Sequence, residues 1–117
     1  MTESPDFLKT LDDDSLIGDN IRINIKVTQI FDNWLKNLKD KQGRGIIMKH
    51  IDRMNLGNPG KIKNICGNIF EKKIYFGPGY RLYFIKKNDQ LIIILCSGDK
   101  STQKQDIEKA KILAMEL

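Results

Sequence analysis

Gly77-Pro78-Gly79-Tyr80-Arg81-Leu82-Tyr83-Phe84 joins two β-rich segments through a tight turn. It also sets one arginine, flanked by aromatic side chains, in the middle of a sheet. Burying an unpaired guanidinium is costly, so arginine is a poor choice for a central strand on stability grounds alone. Either Arg81 has a carboxylate partner, or that face of the sheet meets something anionic.

Outward from this stretch, Ile69 to Phe76, Tyr80 to Lys87 and Gln90 to Ser97 read as three strands, joined by Gly77-Pro78-Gly79 and Asn88-Asp89. A three-residue loop would set Phe76 opposite Tyr80, Tyr75 opposite Arg81 and Lys73 opposite Tyr83. Side chains alternate along a strand, so Lys73, Tyr75, Arg81 and Tyr83 then share one face. Such a basic and aromatic cluster suits phosphates and stacked bases. Phe70, Ile74, Leu82 and Phe84 point the other way, toward helices. Each member of the cluster also has a plainer reading: Lys73 as a solvated edge residue, Tyr75 and Tyr83 as cross-strand packing partners, and Arg81 as the ion-pair partner of Glu71.

Upstream, residues 21–27 alternate apolar and polar as a half-buried strand does. Thr28 offers a helix N-cap, and Ile30, Phe31, Trp34, Leu35 and Leu38 predict an amphipathic helix over 29–39. A second helix is expected over 44–56, stopped by Gly57-Asn58-Pro59-Gly60. Residues 61–65 read as a short strand or an extended lead-in. Ser101 or Asp99 caps a last helix whose Ile107, Ala110, Ala114 and Leu117 form one stripe. The order is β-α-α-(β)-β-β-β-α. The chain divides into an arm, 1–20, that is either a short helix or disordered, and one domain, 21–117.

The 117 residues are 40% apolar and 30% charged, as in a soluble globular domain. No apolar run approaches the roughly 18–20 residues that span a bilayer, and the start lacks signal-peptide character. A cytoplasmic location with no membrane partner is expected, with Cys66 and Cys96 as buried thiols. The net charge of +5 hides an asymmetry: residues 1–20 hold six acids and one lysine, and the remainder is strongly basic. A basic domain points to a polyanionic partner, nucleic acid first. The acidic arm either shields the basic face, helps position a protein partner, or is simply disordered. His50 is the one histidine, at the edge of a helical stripe, where a structural or surface role is expected. No histidine-based triad or metal-ligand spacing is present, so neither a metal nor a cofactor is expected. Gly57 to Lys61 lacks the phosphate-loop pattern.

Phe31-x-x-Trp34-Leu35-x-x-Leu38, Gly57-Asn58-Pro59-Gly60-x-x-Lys63, Gly77-Pro78-Gly79-Tyr80-Arg81-x-Tyr83-Phe84 and Gly98-Asp99-Lys100-Ser101-x-Gln103-x-x-Asp106-Ile107 together resemble the addiction-module killer proteins, a HigB-like branch of the RelE/ParE toxin superfamily. The resemblance covers about residues 21–114. It implies an α+β fold: a RelE-like small antiparallel sheet with two N-terminal helices and one C-terminal helix. It also implies a type II toxin neutralised by a cognate antitoxin, usually a helix-turn-helix protein through which the complex reaches operator DNA. Many relatives cleave mRNA on the ribosome without a metal, leaving a 2′,3′-cyclic phosphate. By position, Arg81 would stabilise the scissile phosphate, with Lys73 beside it and Lys100 as general acid or phosphate clamp. The general base is open among Tyr83, Asp106 and Lys73. Lys61, Lys63, Lys72, Tyr75 and Gln103 are the candidate RNA-binding side chains. The rival expectations are a gyrase-inhibiting ParE-like toxin and a non-catalytic nucleic-acid-binding regulator.

Overall fold

The computed structural model describes residues 8–10 and 23–117, the first three as backbone only. It is an α+β fold with strands β1 (Leu8–Thr10), β2 (Asn24–Thr28), β3 (Lys63–Cys66), β4 (Ile69–Ile74), β5 (Tyr80–Asn88) and β6 (Leu91–Gly98). Its helices are α1 (Gln29–Lys36), α2 (Lys41–Asn55) and α3 (Gln103–Met115). The sheet order is β1-β2-β6-β5-β4-β3.

The sheet is mixed rather than antiparallel. The three hairpins from β3 to β6 are antiparallel, as short connections require, but β2 lies parallel to β6. Between them the chain crosses over through α1 and α2, which frees β2 to take that direction. Thr28 locks the arrangement: its hydroxyl donates to the Leu95 carbonyl at 2.6 Å and accepts from Phe31 N at 3.1 Å, capping α1. The arm is not wholly outside the sheet, because Leu8–Thr10 pairs antiparallel with β2 as an edge strand. The rest of the expected arm lies outside the described residues.

Helix α1 ends at Lys36, short of the expected Lys39, and α2 starts at Lys41 because Asp40 caps it, accepting from Gly43 N at 2.9 Å. Both pack on one face of the sheet. Phe31, Leu35, Ile47, Ile51 and Met54 meet Ile25, Val27, Ile74, Leu82, Phe84, Ile92 and Ile94 there. Helix α3 covers the opposite face, where Ala110 and Leu113 meet Ile69, Tyr83, Ile85, Ile93 and Leu95. The sheet thus has an apolar layer on each side, and β5 and β6 are buried along most of their length.

The β4–β5 register differs from expectation by two residues. Ile74, not Phe76, faces Tyr80; Lys73 faces Arg81 and Glu71 faces Tyr83. The connection is therefore 75–79, with Gly77 at φ 55° and Gly79 at φ 81°, values that favour glycine. Gly79 N closes the turn onto Phe76 O at 3.0 Å. Tyr80 anchors it by donating its hydroxyl to Asp40 Oδ2 at 2.7 Å, and burial with that bond pushes the phenol up to about 12. A two-residue slip preserves side-chain parity, so the expected division of faces survives.

The two thiols part company. Cys96 is buried, with Sγ 3.5 Å from Asp106 O and its acidity suppressed by burial, to about 12. Cys66 is exposed, because β3 is the outermost strand with no partner beyond it. Among the described residues no helix is long and apolar enough to cross a membrane.

Candidate anion-binding cleft

Strand β3 begins opposite Glu71, so among the described residues no strand lies beside the outer edge of β4 from Lys72 to Ile74. A cleft of about 690 Å³ occupies this gap. Because it opens at an edge, it collects side chains from both faces of the sheet. Lys72 and His50 of α2 reach it from one side; Glu71, Lys73, Arg81 and Gln103 reach it from the other. Lys61 to Lys63 form a rim, and Tyr75 completes the wall. Five cations (Lys61, Lys63, Lys72, Lys73, Arg81) against one carboxylate make it a site for anions.

Arg81 is buried, 5% exposed, on the α3 face. Its neighbour on β6 is Gly98, over which the Asp106 carboxylate and the Thr102 hydroxyl lie. The Glu71 carboxylate stands 3.5 Å from Arg81 Nε, near enough for strong attraction but not aligned as a hydrogen bond. Arg81 Nη1 donates to Gly79 O at 3.1 Å, across the turn that the two positive-φ glycines build. The carboxylate and the turn thus fix the orientation of the guanidinium at the cleft wall. The carboxylate alternative weighed for Arg81 is therefore realised, and it coexists with a basic cleft.

Glu71 is the hub of the site. Its Oε2 accepts from Tyr83 Oη at 3.0 Å and from Gln103 Nε2 at 2.8 Å, besides facing Arg81. This joins β4, β5 and the first turn of α3. No sequence pattern marks Glu71 as a hub, since its partners come from a register and a helix start 32 residues away.

Seven of the ten expected site residues line the cleft: Arg81, Lys73, Lys61, Lys63, Lys72, Tyr75 and Gln103. Tyr75 is 84% exposed, with Lys73 Nζ 5.7 Å from its ring centroid, a free platform for stacking. Lys72 has its ammonium disfavoured, first by burial and then by Arg53.

The other three lie elsewhere. Tyr83 is fully buried beneath α3 and donates to Glu71; burial and that bond push its pKa well up, which removes it as an accessible base. Asp106 is also buried, accepting from Thr102 Oγ1 at 2.5 Å and lying against Gly98. It shapes the start of α3 and is not among the cleft residues. Lys100 is exposed beside the 77–79 turn, its Cβ close to Gly79, and opens a short 3-10 turn (Lys100–Thr102) that Asp99 caps.

His50 was not counted among the site residues by sequence reasoning. It lines the cleft, its Nδ1 is buried without a hydrogen-bond partner, and burial, then Lys72 and Arg53, disfavour the imidazolium. Its place at the margin of the helical stripe was legible. What that margin faces was not.

The chain is 48% identical over 95 residues to a Haemophilus influenzae protein described as uncharacterized, covering 81% of this chain and 96% of that one. It belongs to the same family as that protein. No protein-family model matches the chain, and no solved structure matches it.

Proposed function

We propose that this chain is the toxin of a type II toxin–antitoxin pair and a cytoplasmic, ribosome-dependent mRNA endoribonuclease of the RelE/HigB kind. The observation that carries the reading is Arg81. A buried guanidinium is held on two sides by Glu71 and Gly79, at the wall of a cleft with four lysines and an exposed tyrosine. Such a fork suits a phosphodiester oxygen, whose charge grows as a neighbouring 2′-oxygen attacks. The lysines track flanking phosphates, and Tyr75 offers its ring to a base. Of the motifs that resemble the killer proteins, Lys63, Arg81 and Gln103 line the cleft, and the antitoxin would be a helix-turn-helix protein.

The test is brief induction followed by mapping of RNA 5′ ends. Cleavage within translated messages is expected from the native chain. Arg81→Lys, which keeps a charge beside Glu71, should cut at least about tenfold less, in line with the loss of charge-assisted bonds. Tyr75→Ala should weaken cleavage without affecting folding. Growth arrest with intact transcripts would reject the reading, and a DNA-damage response beside intact transcripts would favour gyrase inhibition. One observation favours a second reading: the Glu71 partner already neutralises Arg81, as suits a protein that binds RNA without turnover. Salt-dependent RNA binding with no cleavage in a ribosome-containing system would support it.

A further inference from the structure

Cleavage of RNA through its 2′-hydroxyl needs a proton acceptor; of the three candidates named from sequence, Lys73 lines the cleft beside Tyr75, and the other two lie outside it. Tyr83 is sealed in the core with its proton on Glu71. Asp106 is buried against Gly98 and bonded to Thr102. Glu71 is 3% exposed and has Oε2 committed to Tyr83, Gln103 and Arg81.

We infer that His50 is the catalytic base of this cleft, taking the ribose 2′-hydroxyl proton on Nε2, and that the substrate is therefore RNA rather than DNA. The inference rests on the nuclease reading above and assigns that site a residue from α2. His50 lines the same cleft as Arg81. Its Nδ1 is enclosed without a hydrogen-bond partner, and the residue forms part of the cleft wall. Positive charge surrounds it on three elements: Arg53 on its own helix, Lys72 on β4, and Lys61 and Lys63 at the rim, with Glu71 the one carboxylate of the cleft. Burial first, then Lys72 and Arg53, disfavour the imidazolium, which favours the form of the ring that can accept a proton. An arriving phosphate offsets the surrounding cations and strengthens the base only when substrate is present. In the step, Nε2 takes the proton and O2′ forms a bond to phosphorus. The P–O5′ bond breaks, and the departing oxygen takes a proton from water. The products are a 2′,3′-cyclic phosphate and a 5′-hydroxyl, with the imidazolium returning its proton to solvent.

The experiment measures single-turnover cleavage of ribosome-bound mRNA against pH for the native chain, His50→Gln and His50→Ala. Binding of an uncleavable 2′-O-methyl RNA to each is measured alongside. His50→Gln should cut about 10²–10⁴-fold more slowly and lose the acid limb of the profile, the usual scale for general-base removal. RNA binding should change less than about twofold, and added imidazole should partly restore His50→Ala, as expected of a positioned proton acceptor. The chain has one histidine, so its Hε1 signal needs no assignment and should shift when 2′-O-methyl RNA binds the native protein. Undiminished cleavage by His50→Gln with an unchanged profile, or an unmoved Hε1 signal, would overturn the assignment and leave the nuclease reading standing. Absence of any cleavage by the native chain would overturn the nuclease reading itself, and the assignment with it.

Discussion

Replacing Glu71 by glutamine isolates the energy that holds Arg81. The two are 6% and 3% exposed, with Nε and Oε2 3.5 Å apart. At that separation, unit charges attract by roughly 5 kcal/mol at the effective dielectric near 20 that suits protein sites. Removing one partner from a buried pair typically costs about 3–5 kcal/mol, since the surviving charge is left uncompensated. Glutamine keeps the volume and one carbonyl oxygen for Tyr83 or Gln103, so the loss reports mainly on charge. With a urea slope near 2 kcal/mol/M, a loss of about 4 kcal/mol lowers the unfolding midpoint by ~2 M. Combining Glu71→Gln with Arg81→Met removes the orphaned charge and should recover about 2 kcal/mol or more, because an apolar replacement is often as stable as the pair. A Glu71→Gln midpoint within about 0.3 M of the native one, on the same slope, would refute the reasoning. Arg81 would then be stabilised by water and not by its carboxylate.

Three further outcomes follow from particular contacts. Thr28→Ala removes both the α1 cap and the donor to Leu95 O, and should cost about 1–2 kcal/mol in urea unfolding; Thr28→Ser should restore most of it. Gly98→Ala sets a Cβ against the Asp106 carboxylate and Thr102 hydroxyl, and should lower stability by about 1–3 kcal/mol in thermal unfolding. The His50 imidazole is depressed in the folded state, by burial first and then by Lys72 and Arg53. The unfolded chain therefore binds the proton more readily, and this contribution is intact above the unfolded value near ~6.5 and lost as pH falls through the folded one. Urea midpoints between pH 7.5 and 5 (roughly the span of histidine titration) should fall more steeply for the native chain than for His50→Gln.

How much was legible depended on the range of the cause. The strands around Gly77 to Gly79 are local events, carried by alternation and by glycine, and the helix cap at Thr28 follows from its own side chain. The register was not local: a three-residue loop fits the sequence equally well, and Asp40 receiving Tyr80 belongs to an element 40 residues away. The shift happened to be even, which is why Lys73 and Arg81 still share a face. Lys72 was named on charge alone, yet it reaches the cleft from the opposite face because β4 has an open edge there. Leu8–Thr10 carries too few residues for periodicity to show, and its strand exists only because β2 presents an unpaired edge. His50 and Glu71 are single polar residues whose meaning lies wholly in what packs beside them.

The parallel seating of β2 against β6 also governs when this molecule can come into being. During synthesis, β2, α1 and α2 emerge first, but their sheet partner Leu91–Gly98 follows many residues later, and the Thr28 bond to Leu95 spans 67 positions. Loop closure of that length is slow, and the two helices have no β6 to pack against until it arrives. Gln103, which ties Glu71 to α3, comes later still. The cleft is therefore completed only after the last strand and the start of the last helix have been made.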